Sequence, residues 1–214
     1  MTTKIAVIYY SSAGTVHALA GAVADGAAST GAEVRLCRVA ELAPQAAIDA
    51  NPAWRSHLEN VSAAVPEARL DDLEWADGYA FGTPTRYGNP AAQLKQFIDQ
   101  TGQLWQQGVM ADKPVTSFTA AINRHGGEES TLLALNNVFY HWGSIIVPPG
   151  YTDPLLYAAG GNPYGTSHIT GYPAALPGEE VLAAARYQGR RLATVTTRLS
   201  AGRDQEAVAA GTQA

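Results

Sequence analysis

The stretch Ile5-Ala6-Val7-Ile8-Tyr9-Tyr10-Ser11-Ser12-Ala13-Gly14-Thr15-Val16 decides the fold. Its apolar first half, residues 5–10, has the composition of a parallel strand that is buried on both faces. The strand stops at small hydroxyl residues and a glycine, and the alanine-rich residues 17–30 predict a helix. A strand, a short turn and a helix in this order indicate an α/β protein.

The turn in this stretch has the chemistry of a phosphate site. Ser11, Ser12 and Thr15 offer hydroxyls, and the helix start offers free backbone N–H groups. No Lys or Arg occurs between Ser11 and Glu33, so neutral donors and the helix dipole must hold the anion. The turn lacks the glycines of a dinucleotide fingerprint and the Gly-Lys-Ser/Thr of a Walker loop. The same residues also suit simple helix capping, so the phosphate interpretation needs support from elsewhere in the chain.

Composition excludes several classes of function. The net charge of −5 and the pI of about 5.5 give no footprint for nucleic acid. We expect no membrane span and no signal peptide, because no apolar window is long enough and the N-terminus lacks a basic segment. The single cysteine, Cys37, favours a reducing, cytoplasmic location and is expected to be a buried, inert thiol. The five histidines show no ligand spacing, so we expect no metal site.

Five strands are predicted, at residues 5–10, 33–39, 78–82, 114–119 and 144–148, and helical segments separate them. This alternation predicts an α/β fold, a doubly wound five-stranded parallel sheet with helices on both faces. We expect a single domain over residues 1–199, in which residues 149–177 form an elaborated loop and residues 178–199 a last helix. Residues 200–214 are expected to form a flexible C-terminal tail.

Ligands of such sheets bind beyond the carboxyl ends of the strands. The loops that leave the first, third and fourth strands are residues 11–16, 84–89 and 120–127. We therefore expect these three loops to lie along one edge and to form the binding site.

Two motifs then point to a family. They are Gly82-Thr83-Pro84-Thr85-Arg86-Tyr87-Gly88-Asn89 and Thr101-Gly102-Gln103-Leu104-Trp105. Supporting segments are Tyr9-Tyr10-Ser11, Ile146-Val147-Pro148-Pro149-Gly150-Tyr151, Asn162-Pro163-Tyr164-Gly165 and Ala185-Arg186-Tyr187-Gln188-Gly189. With these segments, which extend from residue 5 to about residue 199, the chain resembles the WrbA family of flavodoxin-like NAD(P)H:quinone oxidoreductases.

The resemblance implies an FMN-dependent enzyme that takes electrons from NADH or NADPH. It implies two-electron, ping-pong hydride transfer through the flavin to a quinone, with no protein nucleophile. It also implies a homotetramer in which neighbouring subunits complete each active site. The low charged fraction of 15% agrees with surface that is buried between subunits.

The resemblance also implies residue roles. Residues 11–16 would hold the FMN phosphate, Arg86 would lie near the electron-rich end of the flavin ring, and Trp105 would stack on flat substrates. The flavin carries the chemistry, and Arg86 and Trp105 assist. The expected cofactor-binding residues are Ser11, Ser12, Ala13, Gly14, Thr15, Val16, Pro84, Thr85, Arg86, Tyr87, Gly88, Asn89, Thr119, Ala120, Ala121, Ile122, Asn123, Arg124, His125, Gly126 and His141.

One loop departs from the family pattern. Residues 120–127 are bulkier than the Ser/Thr/Gly-rich loop of the family, so we expect weaker FMN binding, which Arg124 could partly restore at the phosphate. Two other functions stay open. One is an electron-transfer flavodoxin that serves a protein partner, and the other is a flavin-free relative with a binding role.

Overall fold

A computed structural model describes residues 2–211 of the chain, with side-chain surroundings up to residue 202. The strands are β1 (Lys4–Tyr9), β2 (Glu33–Arg38), β3 (Gly78–Arg86), β4 (Asn89–Pro90), β5 (Pro114–Ala121), β6 (Ile145–Ile146) and β7 (Ser167–Ile169). The α-helices are α1 (Thr15–Ala28), α2 (Gln45–Asp49), α3 (Pro52–Asn60), α4 (Leu70–Trp75), α5 (Ala92–Asp99), α6 (Gly102–Gln106), α7 (Glu128–Trp142), α8 (Leu155–Ala158) and α9 (Glu179–Gly211).

The sheet has the strand order of a doubly wound fold. Its parallel strands follow the order β2-β1-β3-β5-β6. β2 lies on one side of β1 and the later strands lie on the other, so the strand order reverses at β1. β4 pairs antiparallel with the end of β3, and β7 pairs parallel with the end of β5. The predicted α/β fold is therefore confirmed, but the sheet has seven strands rather than five.

Alternate residues of β1 supply both layers of the core. Ile5, Val7 and Tyr9 pack on one face with residues of α1 and α9. Ala6 and Ile8 pack on the other face, where α5 and α7 contribute. Burial on both faces explains why β1 is a continuous apolar run, and it confirms that helices cover both sides of the sheet.

Two helices touch through their backbones on the first of these faces. A Cβ on Gly26 of α1 would lie 1.9 Å from the Arg186 carbonyl oxygen, and a Cβ on Gly189 of α9 would lie 1.9 Å from the Val23 carbonyl oxygen. These distances leave no room for a side chain, so the two glycines set the position of α1 and of the turn before it.

Two strands are longer than expected. β3 continues through Pro84 to Arg86, and β5 continues to Ala121, so residues predicted in loops lie in strands. The extensions have partners that local sequence does not reveal, because β4 pairs with residues 85–86 and β7 with residues 119–121. Pro84 stands opposite Ala120 in the parallel ladder.

Residues 149–177 are not wholly irregular, which corrects the prediction of a loop. They contain α8 and β7, and α9 anchors them through the buried Gln188. The Gln188 amide donates to Thr116 Oγ1 at 2.7 Å and to the Ser117 carbonyl at 2.8 Å, while its oxygen accepts from Thr166 N–H at 2.7 Å. This amide ties the segment to the middle of β5.

The last helix is also longer than expected. α9 ends at Gly211 rather than near residue 199, so residues 200–211 of the expected tail are helical. Residues 212–214 lie outside the described residues. Among residues 2–211, no helix is both long enough and apolar enough to cross a membrane.

Gly189→Ala should lower the free energy of unfolding by about 1–3 kcal/mol, because a methyl group there forces α1 and α9 apart. Gly21→Ala is the matched control, since a Cβ on Gly21 meets nothing within 4 Å. It should raise stability by about 0.5–1 kcal/mol through helix propensity. Urea unfolding of both variants checks these two predictions. If Gly189→Ala leaves the free energy of unfolding unchanged, the contact between α1 and α9 is not tight.

Candidate functional site

A cavity of about 590 Å³ opens at the carboxyl edge of the sheet. The three predicted loop regions meet in it, as the doubly wound order requires. Its lining residues are Ser11, Ser12, Ala13, Thr15, Val16, Asn51, Pro84, Thr85, Arg86, Tyr87, Ala120, Ala121, Ile122, Asn123, Gly126, Thr170 and Ala174.

The turn between β1 and α1 forms one end of the cavity. Gly14 is the residue before α1 and has a φ of +95°, a left-handed conformation that favours glycine. Its N–H donates to Ser11 Oγ at 3.1 Å. No side chain caps α1, so the first-turn N–H groups are available to a ligand. A dipole end with hydroxyl donors fits a phosphate group.

The hairpin between β3 and β4 forms a second wall. Tyr87 has a φ of +52°, and its side chain is fully exposed, at 102% of the reference value. The Arg86 guanidinium donates to the Thr85 carbonyl at 3.0 Å, so it stays beside its own strand. Gly88 packs at the start of α7, since a Cβ on Gly127 would lie 2.7 Å from Gly88 Cα.

The loop after β5 lies opposite the hairpin and is held by the segment after β7. Thr170 N–H donates to the Ala121 carbonyl at 2.8 Å, and Gly171 N–H donates to the Ile122 carbonyl at 3.1 Å. Ile122 and Asn123 reach the cavity, whereas Arg124 and His125 are exposed and do not line it. The large side chains of Arg124 and His125 therefore do not narrow the cavity.

A carboxylate fixes the long segment that follows β2. Glu41 accepts hydrogen bonds from five donors: Tyr10 Oη, Trp54 Nε1, Gln93 Nε2 and the N–H groups of Leu42 and Ala43, each at 2.9 Å. Burial opposes the charge of Glu41, but these bonds outweigh it and hold the pKa of Glu41 below its usual value. Burial and the bond to Glu41 in turn raise the pKa of Tyr10.

Two histidines lie behind the phosphate-type turn. The rings of His17 and His57 have centroids 5.5 Å apart, and His17 Nδ1 lies 2.6 Å from Tyr9 Oη. His57 Nδ1 would lie 3.4 Å from a Cβ on Gly14. Burial lowers the pKa of His17, and burial together with the nearby His17 lowers the pKa of His57 to about 4.

Several expected cofactor residues do not line the cavity. Thr119 is fully buried and donates to the Thr83 carbonyl at 2.6 Å, because it lies in β5 rather than in a loop. Asn89 donates back to the Tyr87 carbonyl at 3.1 Å. Gly14 belongs to the turn before α1 but does not line the cavity. The other expected residues outside the lining are Gly88, Arg124, His125 and His141.

Trp105 and His141 lie together at the opposite edge of the sheet. Trp105 Nε1 donates to the His141 carbonyl at 2.7 Å, and the Trp105 side chain is 54% exposed. α7 begins at the cavity and reaches His141 thirteen residues after Glu128, a distance of about 20 Å along the helix. Neither side chain can reach the cavity of its own chain.

Sequence reasoning missed three lining residues, Asn51, Thr170 and Ala174. Asn51 is the capping residue immediately before α3, and its side chain accepts a hydrogen bond from Trp54 N–H at 3.2 Å. The Asn51-Pro52 pair is a recognisable helix-start signal, but nothing local indicates that α3 lies at the cavity. Thr170 and Ala174 come from the segment that was expected to be a loop.

The strand order and the phosphate-type turn at its carboxyl edge define a flavodoxin-like protein. A WrbA-like flavodoxin from Agrobacterium tumefaciens superposes with a TM-score of 0.61 at 23% identity, over 92% of this chain and 99% of that one. A flavodoxin from the domain Archaea gives a TM-score of 0.60 at 17% identity, over 91% of this chain and 99% of that one.

Sequence comparison identifies the family. The model of the NADPH-dependent FMN reductase family matches residues 3–152. A protein named NAD(P)H dehydrogenase (quinone) from Deinococcus radiodurans is 42% identical over 196 residues, which are 92% of this chain and 96% of that protein. One of the same name from Aromatoleum aromaticum is 38% identical over 206 residues, 94% of this chain and 99% of that protein. The chain belongs to the NADPH-dependent FMN reductase family, and its fold is flavodoxin-like, as the sequence motifs predicted.

Glu41→Gln should lower the free energy of unfolding by about 1–2 kcal/mol at neutral pH, since a neutral amide replaces a charged acceptor of five hydrogen bonds. The native pKa of Glu41 is lowered, so its contribution is present at neutral pH and is lost as the pH falls through that value. Denaturant unfolding at about pH 7 and about pH 3.5 checks this. A difference between the two proteins that does not shrink in acid would contradict the role of the charge.

Proposed function

We propose that this chain is an FMN-dependent NAD(P)H:quinone oxidoreductase. Family membership confirms the predicted class, a flavin-dependent oxidoreductase, and the predicted cofactors, FMN and NAD(P)H. When bound, FMN supplies two-electron chemistry, accepting a hydride equivalent from NADH or NADPH and delivering it to a quinone.

The observation that carries this proposal is the phosphate-type turn, where an uncapped helix end and three hydroxyls meet in the cavity. α1 presents its uncapped N-terminus there with the hydroxyls of Ser11, Ser12 and Thr15. This arrangement suits one terminal phosphate, and the turn lacks the glycine pattern that accompanies a dinucleotide. FMN carries one such phosphate, whereas FAD carries a pyrophosphate.

The remaining lining residues have positions that suit a flat ring system. Pro84, Thr85 and Tyr87 form one wall, and Ala120, Ala121 and Ile122 form the facing region. Arg86 places a permanent positive charge at the rim, where it would stabilise negative charge that develops on a bound ring. Apolar walls exclude water and thereby strengthen that interaction.

We also propose that the site is completed by a second copy of the chain. Trp105 and His141 match family residues at the active site, yet they lie at the edge opposite their own cavity. They can serve a cavity only if neighbouring subunits bring the two edges together. The exposed Tyr140, which precedes His141 on α7, supports contact at this edge. We infer a homotetramer, as in the family.

The alternatives are less well supported. An electron-transfer flavodoxin needs an exposed ring edge, but Thr170 and Ala174 close part of the cavity. A flavin-free relative would require a blocked cavity, whereas the bulky Arg124 and His125 do not line it. The weaker FMN affinity expected from residues 120–127 and the cytoplasmic location both stay predictions.

The purified protein should bind FMN at one per chain and reduce benzoquinone with NADH or NADPH. Mass spectrometry of the released flavin and a steady-state assay check this, with Thr15→Asp as a variant that places a negative charge against the phosphate. Thr15→Asp should lose FMN, and its activity should fall at least about tenfold.

Three results would count against the proposal in different ways. Recovery of FAD would refute the single-phosphate argument. Bound FMN without quinone reduction would favour the electron carrier. A colourless protein that FMN does not titrate would favour the flavin-free binding role.

Mixed oligomers test the shared site. Trp105→Ala alone should lower quinone reduction about tenfold while leaving FMN bound, because the exposed indole touches no flavin of its own chain. Co-expression of Trp105→Ala with Thr15→Asp in equal amounts should restore about a quarter of native activity, since one site in four then combines a native turn with a native partner tryptophan. No recovery, or a mass near 22.5 kDa in light scattering, would contradict a shared site.

A further inference from the structure

His17 and His57 lie directly behind the turn that would bind phosphate, and no role has yet been given to them. His57 belongs to α3, the segment that Glu41 holds in place, and its Nδ1 edge faces Gly14. His17 belongs to the first turn of α1. The two imidazoles therefore approach the same turn from two different elements.

The ring of His57 is unusual for a buried polar group. It is 6% exposed, and its Nε2 has no hydrogen-bond partner among the described residues. Buried polar atoms in native proteins almost always have partners, because desolvating them without a bond is unfavourable. A buried imidazole with an unpaired nitrogen beside the phosphate-type turn indicates a group that gains a hydrogen-bond partner or a proton when a ligand binds.

We propose that His17 and His57 supply the positive charge of the phosphate site, and that the flavin phosphate binds together with a proton that this pair takes from solvent. The proposal rests on FMN as the cofactor. It adds two phosphate-positioning residues to the site and predicts that affinity depends on pH through them.

The charges around the turn support this assignment. No Lys or Arg occurs from Ser11 to Glu33, so the turn itself has no permanent cation to balance a dianion. Without a ligand both imidazoles are neutral at neutral pH, because burial lowers the pKa of each, that of His57 to about 4. A phosphate bound at the turn would favour the charged form and raise both pKa values. Protonation of either ring then stabilises the complex.

Other groups near the pair do not compete for this proton. Tyr9 of β1 bonds His17, and burial raises the pKa of Tyr9 to about 12, with Arg38 lowering it and Cys37 raising it to a smaller extent. The hydroxyl therefore stays neutral and can act as donor or acceptor as His17 changes state. Leu176, which approaches Gly14 from the segment after β7, is apolar.

The dissociation constants of FMN and riboflavin, measured between about pH 6 and about pH 8, test the proposal. For the native protein, the dissociation constant of FMN should fall by up to about tenfold for each unit by which the pH is lowered, as binding linked to one proton requires. This pH dependence is the slope compared below. His57→Gln should remove most of this slope. Riboflavin, which lacks the phosphate, should show no slope in either protein. His168→Gln, a histidine that bonds the Ala175 carbonyl, is the matched control and should keep the native slope.

The comparison of variants isolates the histidines, because the second ionisation of the phosphate itself, near pH 6, is the same in all of them. FMN binding with equal slopes in the native and His57→Gln proteins would overturn this inference and leave the proposed function intact. Failure of both FMN and riboflavin to bind would overturn both.

A measurement on the native protein covers the case in which His57→Gln does not fold. Titration calorimetry of FMN at about pH 7.5, in two buffers of different ionisation enthalpy, gives the number of protons taken up. We expect a net uptake approaching one proton. Zero uptake or net release would show that the pair stays neutral in the complex.

Discussion

The left-handed backbone at Gly14 is the constraint on which the rest of the site depends. β1 ends at Tyr9 and α1 begins at Thr15, so the chain must reverse within five residues and still present the helix end to the cavity. A φ of +95° achieves this at a residue without a Cβ, and the His57 ring packs beside it. The hydroxyls of the turn and the N-terminal end of the α1 dipole thereby meet at one point of the cavity wall. The close approach of α1 to α9 at Gly26 and Gly189 keeps that point fixed relative to the sheet.

Sequence reasoning predicted the parts of the fold that local pattern determines. The parallel strands were found because burial on both faces gives continuous apolar runs, as in residues 5–9. β7 was missed because Ser167-His168-Ile169 has no such run and becomes a strand only through pairing with the end of β5. The end of β3 was missed because Thr83-Pro84-Thr85 has turn-forming composition, whereas pairing with the adjacent β4 and with the distant β5 extends the strand. Pairing of this kind depends on tertiary structure and leaves little trace in local composition.

Some residues of the candidate site could likewise be predicted from local sequence, and others could not. Residues 11–16 could be predicted because the turn is contiguous and its donors are adjacent in sequence. Asn51, Thr170 and His57 could not, because other elements carry them to the turn. Trp105 and His141 were identified by resemblance, yet their chain places them about 20 Å along α7 from the cavity. For these two residues the tertiary structure of one chain is insufficient, and the role proposed for them requires neighbouring copies of the chain.

The segment after β2 bears on how the proposed phosphate site would work with no lysine or arginine in its turn. This segment carries one carboxylate, Glu41, and one imidazole, His57, towards the same edge of the sheet. Five donors engage Glu41 and disperse its charge. An arginine in place of His57 would have to be buried with its charge before any phosphate arrived, which is unfavourable for folding. A histidine avoids that penalty because it stays neutral until the anion is present. If His57 takes up a proton as proposed, the fold forms without a buried cation and still offers one to its ligand.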